Sequence, residues 1–490
     1  MAIPTVRIRS AGPAPVPVPA SGVRAARQAT LAVVLPPALL ALALGLWGLR
    51  RQDSIWGDEA VSLEVARRST GQIWQLTQHI DAVHGLYYLL LHLLFTLHDG
   101  GLATLRLPSV LGMTAAAAGV ALIGRRLSGS RAGLAAGLVF CVFPAVQEYA
   151  QEGRSYGMVC AGVVGSGLLL LRAAERPTVS RWSGYALAAL TTCVLHEFAV
   201  LAVLGQGLTL VLARQSRRVR LGWLAACAGV LAGLLPLALL SESEAAQVAW
   251  ITAPGTGTVL FALGTMLVGA LCALVAGPGQ RAFALPLLVL PQTVLLLVSV
   301  VHPVYLDRYV VFEYAGLALL IGAALDRLGR RAGWRVLLVV PLALLLLLPV
   351  ETGLRTPQSR PDDLAAAARA VGRMSAPGDG VLFLPSARRQ SELAFPADYA
   401  GRIDLALSGN VAASDTLGGI ELPPDGIRAR LLAVTRVVTV RTAGKGVPEG
   451  TAQDREKLAV LGADFQVCAR AEVRGLVVTA YARPGDCRAG

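Results

Sequence analysis

Charge is scarce in this chain, and acid scarcer still. Charged residues fill 15% of the 490 positions, with 31 Asp and Glu against 44 Lys and Arg, while 54% are apolar and the mean hydropathy is +0.59. So little polar material excludes an ordinary soluble protein and points to a membrane protein. The formal charge of +13 does not indicate nucleic acid, because the basic residues lie in short clusters between apolar runs rather than along one polar face. Metal-binding spacings of Cys and His are missing. Cys141, Cys160, Cys193, Cys227 and Cys272 fall inside apolar runs, where cysteine serves as a small hydrophobe. No small-x-small cleavage site follows the first apolar run, 30–49, which ends in Trp47-Gly48-Leu49-Arg50-Arg51. It reads as a retained transmembrane helix behind a disordered, Pro/Ala-rich cytoplasmic tail, residues 1–28. An internal repeat is also lacking.

What is present is a series of apolar stretches. Runs long enough to cross a bilayer fall near 30–49, 107–124, 132–148, 155–172, 183–197, 198–213, 221–240, 258–276, 282–301, 309–325 and 334–350. The expected fold is thus a polytopic α-helical membrane protein of about eleven transmembrane helices. With the tail inside, alternate loops carry Arg125, Arg126 and Arg131, then Arg172, Arg176 and Arg181, then Arg214, Arg217, Arg218 and Arg220, then Arg281, then Arg327, Arg330, Arg331 and Arg335. That is the positive-inside pattern, and it places the multi-pass chain in the plasma membrane with a cytoplasmic N-terminus. The opposite loops hold Asp58-Glu59, Glu148 to Arg154, His196-Glu197 and Asp307-Arg308, so the chemical groups face outward.

The apolar segment 84–95 tests this topology. If it crossed, every later basic cluster would lie outside, so it is laid along the outer interface, giving a first external loop, 50–106, rich in interfacial helix. After about Glu351 long apolar runs stop and Pro, Arg and Asp take over. The reading is therefore a transmembrane catalytic domain over 29–350 and a small extracytoplasmic α/β domain over 351–490. In the latter a helix is expected at 363–374, strands at 381–384 and 434–440, and a hairpin from 463–469 and 476–482. Cys468 and Cys487 would face an oxidising compartment, either as a disulfide or as two thiols.

Within the first external loop, Trp56-Gly57-Asp58-Glu59-Ala60 puts two adjacent carboxylates beside the bilayer, where charge is costly. A helix N-terminal cap explains them as readily as chemistry does. The wider order of motifs tips the balance. Gly57-Asp58-Glu59-Ala60, then His84-Gly85-Leu86-Tyr87-Tyr88, Leu105-Arg106-Leu107-Pro108-Ser109, Gln151-Glu152-Gly153-Arg154-Ser155-Tyr156, His196-Glu197-Phe198 and Leu306-Asp307-Arg308-Tyr309 together resemble the GT-C-type membrane glycosyltransferases. More narrowly they resemble the bacterial branch of glycosyltransferase family 39, related to protein O-mannosyltransferases and lipid A aminoarabinose transferases. The resemblance covers roughly residues 30–330. It departs from the family at Gly85, where relatives often have proline, and at Gly153, where they often have alanine.

The resemblance implies transfer of a sugar, mannose or a related hexose or pentose, from a polyprenyl-phosphate donor to an acceptor hydroxyl at the outer face, with inversion. The acceptor would be a protein, a glycolipid or a wall polymer. Asp58 matches the family's base position, and Glu59 is assigned to supporting it or to positioning the acceptor. Arg154 and Arg308 would neutralise the departing phosphate, since a guanidinium keeps its charge and binds phosphate bidentately. Snorkelling is their bland alternative. Tyr156, Tyr309, His196 and Glu152 are further donor-binding candidates, with belt and turn-stabilising roles open, and His84 and Arg106 follow them. A divalent metal is not required; Asp58, Glu59, Glu152 and His196 are the groups that would hold one. Competing readings are a secondary transporter, a lipid-pyrophosphate-dependent glycan ligase and a membrane-anchored binding protein.

Overall fold

A computed structural model describes residues 20–244, 250–444 and 450–487. In chain order the helices are α1 (Ala20–Leu46), α2 (Gly57–Ala66), α3 (Thr70–Leu76), α4 (Gly85–Leu97), α5 (Leu102–Ser128), α6 (Ser130–Val142), α7 (Pro144–Ala150), α8 (Tyr156–Glu175), α9 (Val179–Leu195) and α10 (Val200–Leu212). They continue with α11 (Arg217–Ser243), α12 (Thr256–Val275), α13 (Pro278–Val298), α14 (Glu313–Ala332), α15 (Val339–Leu354), α16 (Leu364–Met374), α17 (Gln390–Ala394), α18 (Pro424–Leu432) and α19 (Ala452–Asp464). Of the expected tail, residues 1–19 lie outside the described ones, and 20–28 are the first turns of α1 rather than coil.

Each of the eleven expected apolar segments is helical, but helicity is not span length. Among the described residues, α1, α5, α8, α11, α12 and α13 are long and apolar enough to cross a membrane, and α6 with α7, bent by 67°, makes at most a seventh. The bend has a plain cause. Phe143 is extended, as a residue before proline prefers to be, and Pro144 opens the next helix.

Two compact units emerge: one boundary falls at the composition break after Glu351, but the first external loop goes with the C-terminal part. One comprises Met1–Trp47 and Arg106–Glu351; the other joins the first external loop, Gly48–Leu105, to Thr352–Gly490. The first is a helical bundle whose helices approach through small residues. A methyl at Gly112 would meet the Gly157 backbone at 2.5 Å, and one at Gly157 would meet the Ser109 carbonyl at 2.5 Å, so α5 and α8 touch backbone to backbone. Close contact of this kind replaces the hydrophobic drive that helices lack in lipid.

In the second unit a five-stranded sheet runs in the order β2-β1-β3-β5-β4, with β1 (Gly380–Leu384), β2 (Ile403–Asp404), β3 (Arg436–Thr442), β4 (Gln466–Val473) and β5 (Leu476–Ala482). β1 pairs parallel with β2 and β3, whereas β5 pairs antiparallel with β3 and β4. The expected helix at 363–374, capped by Asp363, and the expected hairpin turning at Arg474-Gly475 are both present. Leu382, Ile427, Leu431, Val437 and Leu461 form the core between sheet and helices. Cys468 and Cys487 are joined as a disulfide.

The loop is stitched to this α/β core by specific bonds. Leu364 N–H donates to the Ile55 carbonyl at 2.9 Å, Gly57 N–H to Asp362 Oδ1 at 3.0 Å, and Arg68 Nη2 to the Thr416 carbonyl at 2.8 Å. α17 packs against α2.

Candidate active site

The carboxylate motif begins α2. Trp56, extended at φ −108° and ψ 170°, takes the cap position without a side-chain cap bond, so the acids are first-turn residues rather than the cap itself. The Gly57 N–H, one of the donors that a helix start leaves without an intrahelical partner, goes to Asp362, whose other oxygen accepts from Arg388 Nη1 at 2.6 Å. Arg388 Nε in turn donates to Thr442 Oγ1, 2.8 Å away at the end of β3. The α/β core thus fixes where α2 starts.

The two acids then part company. Glu59 has no exposed surface and pairs with Arg51 at 3.1 Å, itself fully buried, whereas Asp58 is only half-buried. The Arg51 end of that pair lies on a strained segment: Arg51, Gln52 and Asp53 all have positive φ, at 47°, 55° and 59°. Non-glycine residues avoid this region at a cost of about 1–2 kcal/mol each, so the backbone before the motif is held rather than relaxed. His84 is also buried, with Nε2 3.7 Å from Asp81 Oδ1, and Tyr88 donates to the other Asp81 oxygen.

In the helical bundle, the turn between α7 and α8 supplies Glu152 and Arg154, both buried. The Ser109 hydroxyl reaches the Glu152 and Arg154 carbonyls at 2.6 and 2.7 Å, and Gln151 Nε2 donates to the Gly45 and Trp47 carbonyls at 2.9 and 2.6 Å. Arg106, fully buried, stands one turn before Ser109 on α5. Tyr156, His196 and Tyr309 gather into one aromatic cluster, the His196 and Tyr309 rings 4.8 Å apart and Tyr156 5.7 Å from His196. The Arg308 guanidinium lies 5.7 Å from the Tyr309 ring and 5.8 Å from that of Trp250, within cation–π range of both.

Beside this cluster opens a cavity of about 480 Å3 that the motifs did not announce, lined in part by Gln292, Tyr305, Asp307, Glu313 and Tyr314. Gln292 Nε2 donates to Glu313 Oε1 at 3.0 Å, and Tyr149 donates to Asp307 Oδ1 at 3.0 Å. Glu313 Oε2 and Gln292 Oε1 are buried without a hydrogen-bond partner among the described residues. Burial, set against the Gln292 bond and reinforced by Glu313 and Asp307, pushes the Tyr305 phenol up to about 12, so it stays a neutral donor. The wall is rich in acceptors, which suits a ligand that brings hydroxyl donors. Asp307 lay in view next to Arg308, but Gln292 and Glu313 sit in apolar runs and nothing in the spacing ties them together. Among the described residues no group of three or more His, Cys, Asp or Glu is gathered to hold a metal.

No protein-family model and no curated protein sequence matches the chain. Solved structures do. ArnT from Cupriavidus metallidurans in the apo state is 14% identical, with a TM-score of 0.56, over 92% of this chain and 98% of that one. ArnT bound to undecaprenyl phosphate matches over the same shares with a TM-score of 0.46. The arabinosyltransferase EmbB from Mycobacterium smegmatis is 18% identical, with a TM-score of 0.41, over 76% of this chain and 35% of that one. At these identities it is architecture alone that is shared: the chain has the fold seen in apo ArnT.

Proposed function

We propose that the protein transfers a sugar, mannose or a related hexose or pentose, from a polyprenyl-phosphate carrier to an acceptor hydroxyl at the outer face of the plasma membrane. The observation that carries this reading is the Arg308 guanidinium, flanked by Tyr309 and Trp250 and adjoining a cavity walled by sugar-compatible acceptors. In the reaction Asp58 takes the proton of the acceptor hydroxyl as its oxygen attacks the anomeric carbon, and the bond from that carbon to the carrier phosphate breaks with inversion. Arg308 and Arg154 neutralise the phosphate that departs. Gln292, Tyr305 and Glu313 hold the sugar hydroxyls, and Tyr156, His196 and Tyr309 give its ring an aromatic face. Glu59 acts through Arg51, keeping the start of α2 in place, while Glu152, Arg106 and His84 support the turns around the reacting groups.

The test is purified protein incubated with radiolabelled polyprenyl-phosphate sugars and membrane acceptors. Asp58→Asn abolishes transfer while leaving expression and insertion intact, and near-normal transfer by that variant would refute the base assignment. Arg308→Gln raises the apparent KM for donor by about tenfold or more, as loss of a charge-assisted phosphate contact requires. An unchanged donor KM counts against the phosphate role.

A further inference from the structure

The carboxyl ends of β1 and β3 lie side by side, because the two strands pair parallel from Gly380 opposite Val437 to Leu384 opposite Arg441. From there the chain departs in different directions. After β1 it runs into α17, which packs against α16, and beyond β3 it runs to α19, which packs against α18. In an open α/β sheet, adjacent parallel strands that part in this way leave a crevice outside their carboxyl ends, the usual place for a ligand. Here the chain puts its own loop there. Arg388, four residues after β1, donates through Nε to the hydroxyl of Thr442, the last residue of β3, at 2.8 Å. Its Nη1 donates to Asp362 Oδ2 at 2.6 Å, and Asp362 Oδ1 accepts the Gly57 N–H at 3.0 Å.

This row of bonds is held from more than one side. The Asp362 side chain is 9% exposed and that of Arg388 21%. The turn between β4 and β5 closes on Asp362: a methyl on Gly475 would sit 2.3 Å from the Pro361 carbonyl and 2.7 Å from Asp362 Cβ, and Asp363 N–H donates to the Arg474 carbonyl at 3.0 Å. An ion pair that only glued the loop to the core could fall anywhere along their contact. This one ends on the amide just before Asp58. On the other flank of Asp58, Glu59 is locked to Arg51. Both neighbours of the half-buried Asp58 are therefore tied down, one to the strand ends and one to the buried guanidinium.

We propose that Asp362, Arg388 and Thr442 are positioning residues for sugar transfer, and that the strand-end crevice of the α/β core is the socket that sets where Asp58 meets the acceptor hydroxyl. The inference rests on the reading of Asp58 as the base. Displacing a reacting group by about 1 Å costs on the order of a hundredfold in rate. The donor phosphate is held by other residues, so the signature is a fall in kcat at constant donor KM.

Full-length protein in detergent is assayed with the radiolabelled polyprenyl-phosphate sugar that the wild type turns over, mannose first, and by hydrogen exchange of the peptide 55–61. Arg388→Ala and Asp362→Ala each lower kcat by about tenfold to a hundredfold and leave donor KM within about twofold of wild type. Both speed exchange over 55–61 about tenfold, the worth of one hydrogen bond to a charged group, while β1 and β3 exchange as in the wild type. Arg388→Lys keeps a cation on Asp362 and recovers most of the rate. Thr442→Ser is fully active and Thr442→Val a few-fold slower, a comparison that changes one hydroxyl and leaves the fold alone. Arg428→Ala, which breaks an exposed pair with Glu456 between α18 and α19, alters neither readout. Wild-type kcat in Arg388→Ala and Asp362→Ala, a raised donor KM in place of the kcat loss, or equal rates in the two Thr442 variants overturns the inference. So does a kcat loss matched by faster exchange throughout β1 and β3, which would make the three residues supports of the fold only. Asp58→Asn, run in parallel, separates this from the reading beneath it: near-normal transfer there removes the base, whereas an inactive Asp58→Asn beside a fully active Arg388→Ala removes the socket alone.

Discussion

Replacing Arg51 by methionine removes the cation facing a carboxylate that has no exposed surface. Glu59 and Arg51 meet at 3.1 Å with both side chains fully buried, so the remaining Glu59 charge would stay in a low-dielectric interior. Breaking such a pair from one side costs about 3–5 kcal/mol. The cost is sharpened by the backbone, because Arg51, Gln52 and Asp53 are held at positive φ and lose an anchor when the guanidinium goes. For a unit of this size the loss corresponds to a fall of roughly 6–20 °C in apparent Tm. The assay is thermal unfolding of detergent-purified protein, read alongside sugar transfer. Removing both charges in Arg51→Met with Glu59→Gln takes away the pair together, and its Tm returns toward the wild-type value. If transfer returns as well, Glu59 acts through the fold; if the double variant is stable but inactive, Glu59 touches substrate. A single variant within about 3 °C of wild type would refute the reasoning, since losing the cation that faces a fully buried carboxylate costs more than that.

Two further outcomes are expected. Burial, with Asp404 adding to it and Arg389 opposing it, pushes Glu392 up to about 7 from 4.5, so the folded chain keeps a proton that the unfolded chain releases and stability falls as pH rises through that window. Glu392→Gln therefore raises Tm at about pH 8, by the equivalent of roughly 3 kcal/mol at most, and leaves it unchanged near pH 4.5; parallel melting curves for the two proteins across that range would contradict the shift. Gly157→Val drives a side chain into the Ser109 backbone and separates α5 from α8, disturbing the turn that Ser109 pins and with it Arg154 and Tyr156. Transfer should drop far more than the yield of inserted protein, and a fully active variant would show that the close approach is not needed.

Composition by itself determined the class of this protein. A chain with so little charge and so many apolar runs has no other solvent-compatible arrangement than helices in a membrane, and the break near Glu351 announced a different kind of domain because α/β cores need alternating rather than continuous hydrophobicity. Local signals likewise marked the helix capped at Asp363 and the hairpin at Gly475, where a positive φ of 72° favours glycine. Which apolar helices are long enough to span was beyond the sequence, since a bend such as that at Phe143-Pro144 and the exact helix ends depend on packing.

The site divides in the same way. Arg308, Tyr309, His196 and Tyr156 stood out because polar and aromatic groups at the ends of apolar runs are conspicuous, and folding gathers them. Tertiary structure alone separated the surroundings of two neighbouring acids, since adjacent first-turn positions of α2 point about 100° apart and the fully buried Glu59 pairs with Arg51 while Asp58 is half-buried. It alone brought the loop onto the α/β core through Asp362, 305 residues from Gly57 in sequence, and set Gln292 beside Glu313. Such pairings depend on which surfaces the chain buries together, a property that no window of sequence contains.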